Sequence, residues 1–100
     1  MEKRRPHYDL ASIKSAFTTP ASLRITKTAL TTAEALELTL KDIVTIIQNI
    51  TREQFYKAMT SLADHRIWQD VYHAQFSDLS LYVKFTTDVE GYLVISLKEK

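Results

Sequence analysis

Lysine, tyrosine and glutamine recur in the second half of the chain, and these side chains can hold an anion and move protons. Lys57, Gln69, Tyr82 and Lys98 each lie in a run rich in aromatic and β-branched residues. Such runs are typical of β-strands, in which alternate side chains share one face of a sheet. The alternation places Tyr82, Lys84 and Lys98 on one face. Lys57 and Gln69 can join them if the first two strands are in register.

This set of side chains suits the cleavage of RNA by its own 2′-hydroxyl better than other reactions. That reaction needs an acceptor for the 2′-hydroxyl proton, cations that stabilise the charge on phosphorus, and a donor for the leaving 5′-oxygen. Neighbouring lysines lower each other's pKa, which brings a poor base nearer to neutral pH. Tyrosine can donate, accept or stack on a base. No metal is obligatory, and ordinary surface lysines on a solvated strand face are the alternative interpretation.

Other kinds of catalytic site have little support in the sequence. The absence of cysteine excludes a disulfide, a thiolate nucleophile and a cysteine-based metal site. One glycine cannot form a phosphate-binding glycine loop, and His7, His65 and His73 lack the spacing of a helical metal pair. No serine or threonine lies in a nucleophile elbow, and paired carboxylates are scarce on the proposed face. We therefore expect no cofactor and no metal site.

Four predicted strands must position the candidate side chains. They are FYKAMTS, IWQDVYHAQF, LSLYVKFTT and YLVISLKEK, which begin at residues 55, 67, 79 and 92. In the third strand Leu81, Val83 and Phe85 form an apolar face that predicts burial. Strict alternation in the first strand places Tyr56 opposite to Lys57, which predicts core or edge packing for Tyr56. Gly91 fits a hairpin turn that needs positive φ.

The first half of the chain predicts three helices. Asp9 can cap a helix over about residues 10 to 18, and Pro20 blocks its continuation. Thr26 and Thr39 can cap two more helices, of which the last carries a wide aliphatic stripe that must be buried. Residues 23–25 predict a short extended piece, such as an edge strand. The short basic cluster EKRR at residues 2–5 is expected to be a solvated or frayed terminus.

Helices followed by strands predict an α+β fold, in which the N-terminal helices pack on one side of an antiparallel sheet. The 100 residues are expected to form one domain, residues 1–100.

No apolar run is long enough for a membrane helix, and the N-terminus has no signal-peptide core, so a cytoplasmic location is predicted. The net charge of +1 is too small to indicate nucleic-acid binding by itself.

Five segments of the sequence form a recognisable set. They are MEKRRPH at the start, FYKAMT at 55–60, DHRIWQDVY at 64–72, LYVKFT at 81–86 and VISLKEK at the end. This set resembles the MqsR toxins, the motility quorum-sensing regulators of bacterial toxin-antitoxin systems, over nearly the whole chain. The resemblance implies a RelE-like fold and an endoribonuclease that cleaves single-stranded mRNA at GCU-type sites without the ribosome. Inhibited translation, growth arrest, persistence and biofilm effects would follow.

The resemblance also implies four catalytic residues. Lys57 and Lys98 would bind and neutralise the scissile phosphate, and one of them could move a proton. Tyr82 would be the other proton-transfer group, and Gln69 would position the phosphate or ribose. The sequence does not assign base and acid among them.

Two positions depart from the family's pattern. His73 lies where a more strongly basic residue is usual, which predicts weaker phosphate contacts. Glu37 lies where a helix-ending glycine is expected.

The resemblance also implies a partner, an MqsA-like antitoxin. Parts of the antitoxin would bind zinc and DNA, so this chain would contact DNA only through it.

Two other functions compete with the ribonuclease toxin. A non-catalytic transcriptional regulator would use the second and third helices as a DNA-binding pair, although the third is too aliphatic for a good recognition helix. A protein-interaction module would offer an exposed sheet edge to another chain.

Overall fold

Five strands form one antiparallel sheet in the order β1-β2-β3-β4-β5 in the computed structural model, which describes residues 1–100. The strands are β1 (Glu2–Lys3), β2 (Phe55–Thr60), β3 (Trp68–Phe76), β4 (Leu79–Thr87) and β5 (Leu93–Glu99). The helices are α1 (Leu10–Ala16), α2 (Lys27–Ala35) and α3 (Leu40–Gln48), with 3₁₀ turns at Pro20–Ser22 and Arg52–Gln54. The predicted α+β class and the four predicted strands are confirmed.

The core lies between the helices and one face of the sheet. The helices contribute Ile13, Phe17, Ala29, Ala33, Ile43, Ile46 and Ile47, and the strands contribute Tyr72, Ala74, Leu81, Val83, Phe85, Ile95 and Leu97. The predicted burial of the apolar face of β4 is therefore confirmed. Most side chains on the opposite face of the sheet stay partly exposed. No helix is both long enough and apolar enough to cross a membrane.

The helices begin where their capping residues predict. Asp9 accepts a hydrogen bond from the Ser12 backbone N–H, and Thr26 accepts one from Ala29. Thr39 forms a reciprocal capping box with Asp42. Helix α1 ends at Ala16 rather than near residue 18, and its C-cap residue Phe17 donates its backbone N–H to the carbonyl of Ile13.

The N-terminus is not the frayed segment that its basic residues predict. Glu2 and Lys3 form an edge strand, β1, opposite Met59 and Ala58. The cause lies elsewhere in the chain, in the carboxylate of Asp70, the only charged residue in the buried core. Both oxygens of Asp70 accept hydrogen bonds from the His7 N–H at 2.9 Å, and one also accepts from Tyr8 at 2.8 Å. These bonds hold the N-terminal segment against β3.

The extended piece at residues 23–25 covers part of the other edge of the sheet. Ile25 forms a single parallel bridge to Ile95. The carbonyl of Arg24 accepts a hydrogen bond from Ile95, and the N–H of Thr26 donates one back.

Glu37 adopts the left-handed conformation that a C-terminal glycine would adopt easily. Its φ is 61°, and the N–H groups of Glu37 and Leu38 bond to the carbonyls of Glu34 and Ala33. This is a Schellman motif. A residue with a Cβ in this conformation costs about 1–2 kcal/mol, so the departure from the family pattern affects the local stability of this loop.

Candidate active site

The register of the sheet brings the candidate residues onto its open face. Lys57 lies opposite Val71, and Val71 lies opposite Lys84. In the adjacent row Tyr82 lies opposite Lys98. Neighbouring strands are about 4.8 Å apart, and diagonal neighbours are about 7–8 Å apart. The lysines of three strands therefore surround one small area of the sheet.

A shallow cavity of about 230 Å³ lies in this area. Its walls are formed by Tyr56, Lys57, Met59, Val71, Tyr82, Lys84 and Lys98. Three of the four predicted catalytic residues thus line one cavity, while Gln69 does not. Gln69 lies on the same face, opposite the wall residue Met59. The catalytic roles themselves stay predictions.

A larger cavity of about 710 Å³ lies between the N-terminal segment, helix α1 and the turn at Arg52–Gln54. Arg5, Lys14 and Arg52 contribute to its walls, but none of the four predicted residues does. The smaller cavity is the candidate active site, because its walls combine clustered lysines with tyrosines, which are side chains that can bind a phosphate and transfer protons.

A β-bulge places Tyr56 at the site, so the predicted core or edge packing of Tyr56 is wrong. Phe55 lies opposite Tyr72 and Lys57 lies opposite the adjacent Val71, which leaves Tyr56 as the extra residue. The bulge interrupts strict alternation. Phe55 packs on the core residue Tyr72, while Tyr56 is 44% exposed and lines the cavity. No glycine or proline in this strand signals the bulge in the sequence.

An aromatic cluster of Tyr56, His73 and Tyr82 borders the lysines. The His73 ring centroid lies 4.6 Å from that of Tyr56 and 5.1 Å from that of Tyr82. Burial, followed by the charge of Lys100, lowers the pKa of His73 below its ordinary value. His73 is therefore neutral at pH 7, so it contributes an aromatic ring to this face rather than a positive charge.

The lysines of the cavity differ in their partners. Lys57 forms an ion pair with Glu2 at 3.3 Å, and its ammonium lies 5.2 Å from the centre of the Tyr56 ring. The ammonium of Lys98 lies 5.7 Å from the centre of the Tyr82 ring. Lys84 has no such partner. Burial, then the charges of Lys98 and Lys57, lower the pKa of Lys84.

Comparisons with known proteins agree with the resemblance in the sequence. The family described as the motility quorum-sensing regulator, toxin of MqsA, matches residues 5–99. The chain is also 37% identical, over the full length of both proteins, to the mRNA interferase toxin MqsR of Escherichia coli (strain K12).

Proposed function

The chain belongs to the motility quorum-sensing regulator family of toxins, and on this premise we propose that it cleaves mRNA on the open face of its sheet. It is an endoribonuclease, an mRNA interferase of a toxin-antitoxin system, and it inhibits translation by destroying transcripts. The observation that carries the location is the convergence of Lys57, Tyr82 and Lys98 around one cavity of about 230 Å³.

In the proposed mechanism the 2′-hydroxyl of the RNA attacks the adjacent phosphorus. A bond forms between O2′ and phosphorus, and the bond from phosphorus to O5′ breaks. Lys57 and Lys98 bind the phosphate oxygens and stabilise the negative charge of the transition state. Tyr82 donates its proton to the departing O5′. Gln69, at the edge of the site, positions the ribose or phosphate of a neighbouring nucleotide.

The substrate in this proposal is single-stranded mRNA with a preference for GCU-type sites, cleaved without the ribosome. The aromatic cluster of Tyr56, His73 and Tyr82 supports a single-stranded substrate, because unpaired bases can stack on the exposed ring of Tyr56 and on the partly exposed rings beside it. A shallow open face also admits a flexible strand more easily than a rigid duplex.

Replacing Tyr56 by alanine should weaken RNA binding by about 5- to 150-fold, since stacking on one aromatic ring contributes about 1–3 kcal/mol. Tyr56→Phe keeps the ring and should bind like the wild type. The measurement is fluorescence anisotropy with a 2′-O-methyl GCU-containing RNA, which binds without being cleaved. Tyr92→Ala is the matched control, because Tyr92 is also exposed but lies against Arg24 instead of the cavity. Equal affinities of Tyr56→Ala and wild type would exclude stacking on Tyr56.

The proposed partner is a cognate MqsA-like antitoxin that neutralises the toxin in the cytoplasm, where both would meet mRNA. The description of the family as the toxin of MqsA supports this pairing. Zinc binding and operator recognition would belong to the antitoxin, so DNA would be contacted only through it.

The transcriptional-regulator alternative has little support. Ile43, Ile46 and Ile47 of helix α3 are buried in the core, so this helix has few side chains free to read DNA bases. An interaction module without catalysis would leave the clustered lysines and tyrosines of the cavity without a role.

The ribonuclease function can be tested with purified protein and a GCU-containing RNA in excess EDTA. We expect cleavage at defined sites, and we expect none from a Lys57→Ala, Lys98→Ala double variant that keeps its melting temperature. Intact RNA at high enzyme concentration, or undiminished cleavage by the double variant, would contradict the proposal.

A further inference from the structure

Lys84 lies at the centre of the lysine cluster, although it is outside the four residues that the family resemblance implies. It lies on β4 between the strands that carry Lys57 and Lys98. Val71 separates it from Lys57 and is only 3% exposed, so it forms an apolar floor between the two lysines. The Cα atoms of Lys57 and Lys84, two strands apart, are separated by about 10 Å. Lysine side chains from both sides can reach a phosphodiester over this floor.

The three lysines of the cavity are electrostatically unequal. Glu2 pairs with Lys57, and the ring of Tyr82 lies near the ammonium of Lys98. The side chain of Lys84 forms no hydrogen bond, ion pair or cation–π contact, and it is only partly exposed. Like charges on both sides and reduced hydration both disfavour the ammonium form. Lys84 therefore gives up its proton more easily than an exposed lysine does.

We propose that Lys84 is the general base of the reaction, the group that takes the proton from the attacking 2′-hydroxyl; this rests on the ribonuclease function proposed above. The neutral amine of Lys84 accepts the proton as the bond between O2′ and phosphorus forms. Tyr82 gives its proton to O5′ as the bond from phosphorus breaks. The products are a 2′,3′-cyclic phosphate and a 5′-hydroxyl, and solvent then returns the proton from Lys84 to Tyr82.

This assignment separates binding from proton transfer. Lys57 and Lys98 stabilise the phosphate as cations, and Lys84 acts as an amine that must be uncharged when substrate arrives. Because burial and the neighbouring charges lower the pKa of Lys84 below 10.5, the ordinary lysine value, a larger fraction of it is neutral near pH 7 than for an exposed lysine. The uncharged fraction, and the cleavage rate with it, should rise with pH and level off once Lys84 is neutral.

The test uses Lys84→Arg, because arginine keeps the positive charge and the donors but cannot lose a proton under assay conditions. We expect Lys84→Arg to cleave about 10²- to 10⁴-fold more slowly than wild type in single-turnover assays at saturating enzyme, the usual contribution of a general base. Lys84→Met should be at least as slow. Lys41→Arg is the matched control, since Lys41 is an exposed lysine of helix α3 outside the cavity, and its rate should be unchanged.

Two further measurements keep the test specific to proton transfer. Lys84→Arg should bind the 2′-O-methyl RNA within about threefold of wild type and keep the wild-type melting temperature. As long as Tyr82 keeps the proton that it donates, the rate of this variant should rise in proportion to hydroxide without levelling, because hydroxide then replaces the missing base. The wild-type rate should level off below pH 10.5.

Several outcomes would overturn the assignment. Lys84→Arg activity within tenfold of wild type would make Lys84 a phosphate-binding cation instead. If Lys84→Arg lost affinity for the 2′-O-methyl RNA by the same factor as it lost cleavage rate, Lys84 would also be a phosphate-binding cation. If the variant did not fold, Lys84 would have a structural role. In each of these cases wild-type cleavage preserves the ribonuclease function, while failure of the wild type to cleave RNA would remove both proposals.

Discussion

Replacement of Lys57 by methionine is expected to lower the RNA cleavage rate by about 10²- to 10³-fold, the usual effect of removing one group that stabilises transition-state charge. Lys57 lines the cavity from β2, on the opposite side of Val71 from Lys84. Methionine preserves most of the volume of the side chain and removes only the charge. The measurement is single-turnover cleavage of a GCU-containing RNA at saturating enzyme.

The loss should come from chemistry rather than from unfolding. The ion pair of Lys57 with Glu2 joins a side chain that is 26% exposed to one that is 61% exposed, and such pairs contribute at most about 1 kcal/mol. Lys57→Arg should retain more activity than Lys57→Met because it keeps the charge. Lys41→Met, on helix α3, is the control for a general change in net charge. Cleavage by Lys57→Met within fivefold of wild type would remove Lys57 from the catalytic residues.

Replacement of Asp70 by alanine is expected to lower the free energy of unfolding by about 2–6 kcal/mol. The substitution leaves the part-buried N–H groups of His7 and Tyr8 without their acceptor, at about 1–3 kcal/mol for each donor. The measurement is urea denaturation followed by circular dichroism. Asp78→Asn, in the exposed turn between β3 and β4, is the control and should change stability by less than about 0.5 kcal/mol.

Asp70 is adjacent to Gln69 in the sequence, but its side chain lies on the core face of the sheet. The variant should therefore keep its activity per folded molecule at low temperature, where enough of it is folded to assay. A change in stability below 1 kcal/mol, or a loss of activity from fully folded Asp70→Ala, would contradict this structural role.

The sequence predicts those elements whose signals are local. Thr26 and Thr39 begin helices because their own side chains accept backbone hydrogen bonds three residues on. The burial of Leu81, Val83 and Phe85 follows from the alternation of apolar and polar residues in β4.

The parts that the sequence misses depend on contacts between distant residues. Strand β1 forms because the N-terminal segment is held by Asp70, more than sixty residues away. Tyr56 reaches the face of the candidate site because the β2–β3 ladder contains a bulge, which alternation within one strand cannot predict. Neither the basic residues of the N-terminus nor the alternation in β2 indicates the hydrogen bonds to Asp70 or the bulge.

The candidate site depends both on the local sequence pattern and on contacts between distant residues. Alternation alone places Tyr82, Lys84 and Lys98 on one face of the sheet, and the cross-strand register brings Lys57 to the same cavity. Gln69 lies on the predicted face of the sheet, but its side chain does not line the cavity. The difference between Lys84 and the other two lysines depends on their partners in space, which no spacing in the sequence encodes.

The central claim, that this lysine and tyrosine face cleaves RNA through its own 2′-hydroxyl, is tested most directly by the chemical ends of the products. Mass spectrometry of an RNA oligonucleotide cleaved in EDTA should find a 2′,3′-cyclic phosphate on the upstream fragment and a 5′-hydroxyl on the downstream fragment. A 5′-phosphate on the downstream fragment would mean that water, not the 2′-hydroxyl, attacks phosphorus, and it would contradict the mechanism.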